Sequence, residues 1–176
     1  MRFFVVFFLV FGLWAGAASA QENAAAAKST PKSPEQQAMD TLAEAGLRQA
    51  LQAIQRSGGL YPFGLIQSGD TVRAVGYSGE KADAPSEDEW ARGLFRQLRK
   101  IGEEQPDIEL MGLFRLHEVT SESGEKVTGV WAQVDHRDVR PWVIFLPLIQ
   151  NEEGKHELGE MVYYATEQAL FESHDE

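Results

Sequence analysis

Residues 108–149 read IELMGLFRLHEVTSESGEKVTGVWAQVDHRDVRPWVIFLPLI, and this stretch decides the fold. Three extended runs, Ile108 to Val119, Val127 to Asp135 and Trp142 to Ile149, are separated by short polar connections, Ser121 to Lys126 and the segment around Arg137-Asp138. Connections built from Ser, Gly, Asp and charged residues between apolar runs are hairpin signals, so successive runs pair antiparallel. In the third run Leu146 and Leu148 alternate with Phe145 and Ile149, apolar on both faces. A strand of that kind is central and needs cover above and below.

The cover comes from upstream. Pro106 bars a helix from running into the first strand. Before it, Ser86-Glu87-Asp88-Glu89 has the capping-box pattern, with acids at the positive end of the helix dipole, and Trp90, Ala91, Leu94, Phe95, Leu98 and Ile101 form one apolar face. Further back, Tyr61 to Gln67 and Thr71 to Tyr77 are extended runs joined by Ser68-Gly69-Asp70. A first helix is predicted from Ser33-Pro34-Glu35-Gln36, with Met39, Leu42, Ala43, Leu47, Ala50, Leu51 and Ile54 on one face and Gly58-Gly59 at its end. Downstream, Asn151-Glu152-Glu153-Gly154 leads into a last strand, Leu158 to Tyr164. The predicted class is α+β: an antiparallel sheet of five to six strands with two amphipathic helices packed on it, in the order α-β-β-α-β-β-β-β. The expected domain runs over 34–165, followed by an acidic tail at 166–176. From Ser33 to about Tyr164 the element order resembles that of the roadblock and longin group of profilin-like domains. The resemblance is one of element order, without a shared motif, and it implies a noncatalytic scaffold that pairs with other domains.

The first twenty residues carry a different message. Arg2 precedes an apolar block from Phe3 to Trp14, and Ala18-Ser19-Ala20 supplies the small-residue pattern of a secretory signal peptide cleaved between Ala20 and Gln21. The block is shorter than the roughly 20 apolar residues of a membrane span. Residues 21–33, poor in large apolar side chains, are expected to be a flexible linker. The chain has no cysteine, which excludes a lipobox anchor and disulfides and leaves stability to the core. The expected location is the periplasm, with secretion to the exterior as the alternative. With 16 Lys and Arg against 27 Asp and Glu, the formal net charge is −11. That charge disfavours nucleic acid and anionic lipid without identifying a partner; the expected partner is an envelope protein or a small ligand, with no stable membrane insertion after cleavage.

Chemistry-bearing motifs are sparse. His117-Glu118 opens like a zinc-protease HExxH, but Ser121 stands where the second His belongs and the stretch is a strand. Gly76-Tyr77-Ser78-Gly79 lacks the spacing and the strand-to-helix turn of a nucleophile elbow. Asp135-His136-Arg137-Asp138 is the densest titratable cluster, and Asp135 with His136, and Ser78 with them, are the candidates if the protein is a hydrolase. A polar hairpin turn accounts for the same residues. His117 and His136 lie about six residues, ~20 Å, apart along their hairpin, so no metal or other cofactor is expected.

Two features suggest binding. Arg92, Arg96 and Arg99 form one stripe of the second helix, either an anion or partner contact or a solvated face laced by Asp88 with Arg92, Arg99 with Glu103 and Lys100 with Glu104. Trp131 and Trp142, on one hairpin, are the aromatic pair most suited to a ligand or partner surface. The expected function is that of an exported noncatalytic binding or accessory protein of the cell envelope. Its alternatives are an immunity protein against a periplasmic toxin and a hydrolase using Asp135 and His136.

Overall fold

The computed structural model describes residues 31–121, 123–166 and 168–171. The expected signal peptide with its Ala20–Gln21 cleavage pair, most of the expected linker and residues 172–176 lie outside the described residues. The packed chain runs through α1 (Pro34–Ser57), β1 (Phe63–Ser68), β2 (Thr71–Val75), a short 3-10 turn (Lys81–Asp83), α2 (Glu87–Glu104), β3 (Leu110–Thr120), β4 (Lys126–His136), β5 (Val139–Gln150), β6 (His156–Leu158) and β7 (Val162–Tyr164).

Both helices start where their capping boxes place them. Gln36 N–H donates to Ser33 Oγ at 3.3 Å and Ser33 N–H to Gln36 Oε1 at 3.2 Å. Glu89 N–H and Ser86 N–H make the same reciprocal pair at 3.4 and 3.1 Å. Gly58, at φ 76°, closes α1 in the left-handed conformation that glycine adopts without a Cβ penalty.

The sheet is antiparallel throughout, in the order β2-β1-β3-β4-β5-β6, with β7 also paired to β5. The fold is the α+β class expected, with one refinement at the edge. The expected last strand, Leu158 to Tyr164, is two short strands on the same side of β5: β6 pairs with Leu148–Gln150 and β7 with Val143–Phe145. Pro147 explains the interruption. Its carbonyl accepts from Gly159 N–H at 2.7 Å, but it has no N–H to return, so the ladder breaks there and resumes shifted in register.

A second irregularity sits at the start of β5. His136 opposes Val139 whereas Val134 opposes Trp142, so Arg140 and Pro141 together stand against Asp135. This is a β-bulge, one of the places a sheet tolerates proline.

The two faces are covered by different helices. On one, Met39, Leu42, Ala50 and Ile54 of α1 pack on Phe114, Ala132 and Ile144. Gly46 lets α1 come close, since a Cβ there would lie 2.0 Å from the Phe114 ring. On the other, Leu94 and Leu98 of α2 pack on Ile66, Met111 and Leu113. Leu170 and Phe171 complete this second core, buried to 0% and 5% exposure. Packing therefore continues beyond 165, the boundary expected from sequence, because a short apolar pair without periodicity gives no strand or helix signal.

Candidate functional site

The face under α2 is wider than α2. The helix packs against β1 and β3, which leaves that face of β4 and β5 to the segment after β7. Between helix and segment lies a groove of about 570 Å³, floored by Leu113 and Arg115 of β3, Trp131 and Gln133 of β4 and Val143 of β5. Arg92, Phe95, Arg96 and Arg99 of α2 form one wall, and Thr166, Gln168, Ala169 and Phe171 the other.

The second wall is held by the cluster singled out as candidate catalytic residues. Asp135 is 1% exposed. Leu170 N–H donates to its Oδ2, and Gln133 Nε2 donates to its Oδ1 at 3.2 Å and to the Gln168 carbonyl at 2.6 Å. Burial pushes the Asp135 carboxyl up to about 6, against the downward pull of the hydrogen bonds from Leu170, Gln133 and Phe171. Arg137 is the second anchor. Its guanidinium donates to the carbonyls of Gly102 at 3.0 Å, Gln105 at 3.3 Å and Ile108 at 2.8 Å, and it stacks over Phe171 with 4.6 Å to the ring centre. It thus donates to carbonyls at and just beyond the negative end of α2 while contacting Phe171 of the segment.

His136 has no part in this. It points to the α1 face, within electrostatic reach of Glu35, and its Nδ1 accepts from Asp138 N–H at 3.1 Å. Asp135 and His136 are therefore separated by the strand itself, since adjacent residues face opposite ways. Ser78 is exposed after β2, and β2 lies three strand positions, roughly 14 Å, from β4. The structure does not bring the three together.

The binding candidates divide differently. Arg92, Arg96, Arg99 and Trp131 all line the groove. Trp142 does not: it packs at the margin of the α1 core, 6.3 Å from the Tyr163 ring. The bulge is responsible. Continued in the register of His136↔Val139, Trp142 would oppose Gln133 and share a face with Trp131, but the extra residue moves it opposite Val134 and to the other face.

Of the expected helix-surface pairs, Lys100–Glu104 forms at 3.6 Å, whereas Asp88 approaches Arg115 at 3.7 Å. Among the described residues, Arg92 and Arg96 make no ion pair or hydrogen bond. Nor does any Asp or Glu among the described residues line the groove, in a chain that has 27 of them.

Arg115 is the functional candidate that sequence reading missed. Its side chain is 25% exposed, directly cross-strand from Trp131, and burial lowers its pKa while Asp88 opposes that shift. Trp131 in turn meets His117 edge-on at 5.0 Å and Tyr164 at 5.2 Å. The same burial and the nearby Arg115 charge hold His117 below its ordinary value. The signal was present in the sequence: one arginine inside the run Leu113-Phe114-Arg115-Leu116, at an inward-facing position.

Among the described residues there is no group of three or more His, Asp or Glu placed to hold a metal ion, and no helix long and apolar enough to cross a membrane. What the site offers is a concave surface with arginines at its mouth and floor and aromatic and aliphatic side chains between them. No protein-family model, curated protein or solved structure matches the chain.

Proposed function

We propose that this protein is an exported noncatalytic binding or accessory module of the cell envelope, and that it works by taking an anionic ligand into the groove between α2 and the C-terminal segment. The observation that carries this reading is the convergence of Arg92, Arg96 and Arg115 on one cavity of about 570 Å³ whose described lining residues include no acid. A protein of net charge −11 repels anions over most of its surface, so a local cluster of cations is where a negative group is held. A cavity of that volume matches small-ligand sites. The element order that resembles roadblock and longin domains supports the same reading of a scaffold without chemistry of its own. Export to the envelope rests on the Arg2, Phe3–Trp14 and Ala18-Ser19-Ala20 pattern.

Calorimetric titration of the purified protein with pyrophosphate and with naphthalene sulfonate tests the reading. At least one of these anions binds, and the Arg92→Glu/Arg96→Glu variant binds it about tenfold more weakly or worse. Each reversal replaces attraction by repulsion, about 1 kcal/mol at 4–5 Å in water for each sign. Equal affinity of variant and wild type, or binding of neither anion, refutes it.

A further inference from the structure

Resting on that reading, we infer that the ligand is an amphipathic monoanion: a single acidic head on a flat aromatic or acyl body, with its head on Arg115 and its body against Trp131. The groove is not a uniformly charged trough. Arg92 and Arg96 are exposed at its mouth, where solvent screens them. Arg115 is the cation that is drawn down among apolar groups. It stands on β3 directly cross-strand from Trp131, with Leu113, Val143 and Phe95 on the same lining.

Its partner there is poor. Asp88 is 79% exposed and stands at 3.7 Å, beyond the 2.7–2.9 Å of a good charged hydrogen bond. A guanidinium in that position has donor capacity to offer and has already lost part of its water. A carboxylate or sulfonate can accept two parallel N–H bonds from it. Once the head is there, the rest of the molecule lies on Trp131, whose ring is held by contacts with His117 at 5.0 Å and Tyr164 at 5.2 Å. A compact, multiply charged anion would leave those aromatic surfaces wet. An acidic peptide would need several deep cations, and the floor has one.

The experiment is a calorimetric comparison of three probes on the full protein: naphthalene sulfonate, pyrophosphate and the neutral naphthalenemethanol. Naphthalene sulfonate is expected to bind at least tenfold more tightly than either of the others. Arg115→Gln is expected to lower its affinity tenfold while leaving naphthalenemethanol unchanged, and Trp131→Leu to weaken both naphthalenes. If Arg115→Gln does not melt cooperatively, Arg115→Lys keeps the charge without the planar fork and is expected to show an intermediate loss. Pyrophosphate binding as tightly as naphthalene sulfonate overturns the amphipathic assignment and leaves the anion-binding reading standing. Binding of naphthalenemethanol at the affinity of the sulfonate overturns the role of Arg115. Failure of both anions overturns the anion-binding reading and this inference with it.

Discussion

Asp135→Asn separates a structural role from a chemical one for the most buried acid of the described chain. The carboxylate is 1% exposed and accepts from Leu170 N–H and Gln133 Nε2. Burial raises its pKa from 3.8 to about 6. A shift of about 2 units corresponds to about 3 kcal/mol between the two protonation states. The folded value lies above the unfolded one, so the folded protein binds the proton more tightly. Stability from this group is fully present below about pH 4 and is lost as pH rises through about 6. Asparagine keeps the shape and an acceptor for Leu170 but cannot ionise. It also turns an amide N–H₂ toward Gln133 Nε2, at a cost of about 1 kcal/mol.

The variant should therefore be about 1 kcal/mol less stable than wild type at pH 4 and about 2 kcal/mol more stable at pH 7.5. Urea unfolding followed by tryptophan fluorescence across that range measures both. The difference between the two proteins is the informative quantity, because contributions common to both cancel in it. A difference that stays constant from pH 4 to pH 7.5 would show that Asp135 is not the buried, desolvated anchor described above.

Two further outcomes follow from the packing and one from the N-terminal sequence. Gly46→Ala gains about 1 kcal/mol of helix propensity but sets a methyl 2.0 Å from the fully buried Phe114 ring. Overpacking costs about 1–3 kcal/mol, so a net loss in urea is expected, and a stabilised variant would contradict the close approach of α1. Arg137→Gln removes donors to three carbonyls and the stack on Phe171, and should cost about 2 kcal/mol in thermal melts while speeding amide exchange at Leu170. Unchanged exchange there would mean that the segment is held without Arg137. The intact mass of the protein recovered from its exporting cell should correspond to a chain that starts at Gln21, and retention of residues 1–20 would refute cleavage.

The parts of this molecule that sequence made legible are those governed by local rules. The capping boxes at Ser33 and Ser86 marked both helix starts to the residue. The polar connections placed the hairpins, because period-two burial and turn chemistry are both short-range. The arginine stripe of α2 was legible for the same reason, as one flank of a helix whose apolar face was already assigned. What depended on distant pairings was not. Trp131 and Trp142 were expected on one surface, and a one-residue bulge at Arg140-Pro141 put them on two. Ala169-Leu170-Phe171 is too short to show periodicity, so its place beside α2 came only with the fold. The Asp135 cluster was correctly located but its environment was not: a buried carboxylate under a docked segment looks, in sequence, like a polar turn next to a histidine.

The groove itself is tested most directly at Trp131. For a two-dimensional NMR titration with naphthalene sulfonate, Trp131 lines the groove, whereas Trp90 donates to the Pro62 carbonyl at 2.8 Å and Trp142 sits on the α1 side. The Trp131 resonance should move and saturate while those of Trp90 and Trp142 stay in place, and saturation in Arg92→Glu/Arg96→Glu should need about tenfold more ligand or more. A titration in which Trp131 is unmoved, or in which all three indoles shift together, would contradict an anion-binding groove between α2 and the C-terminal segment.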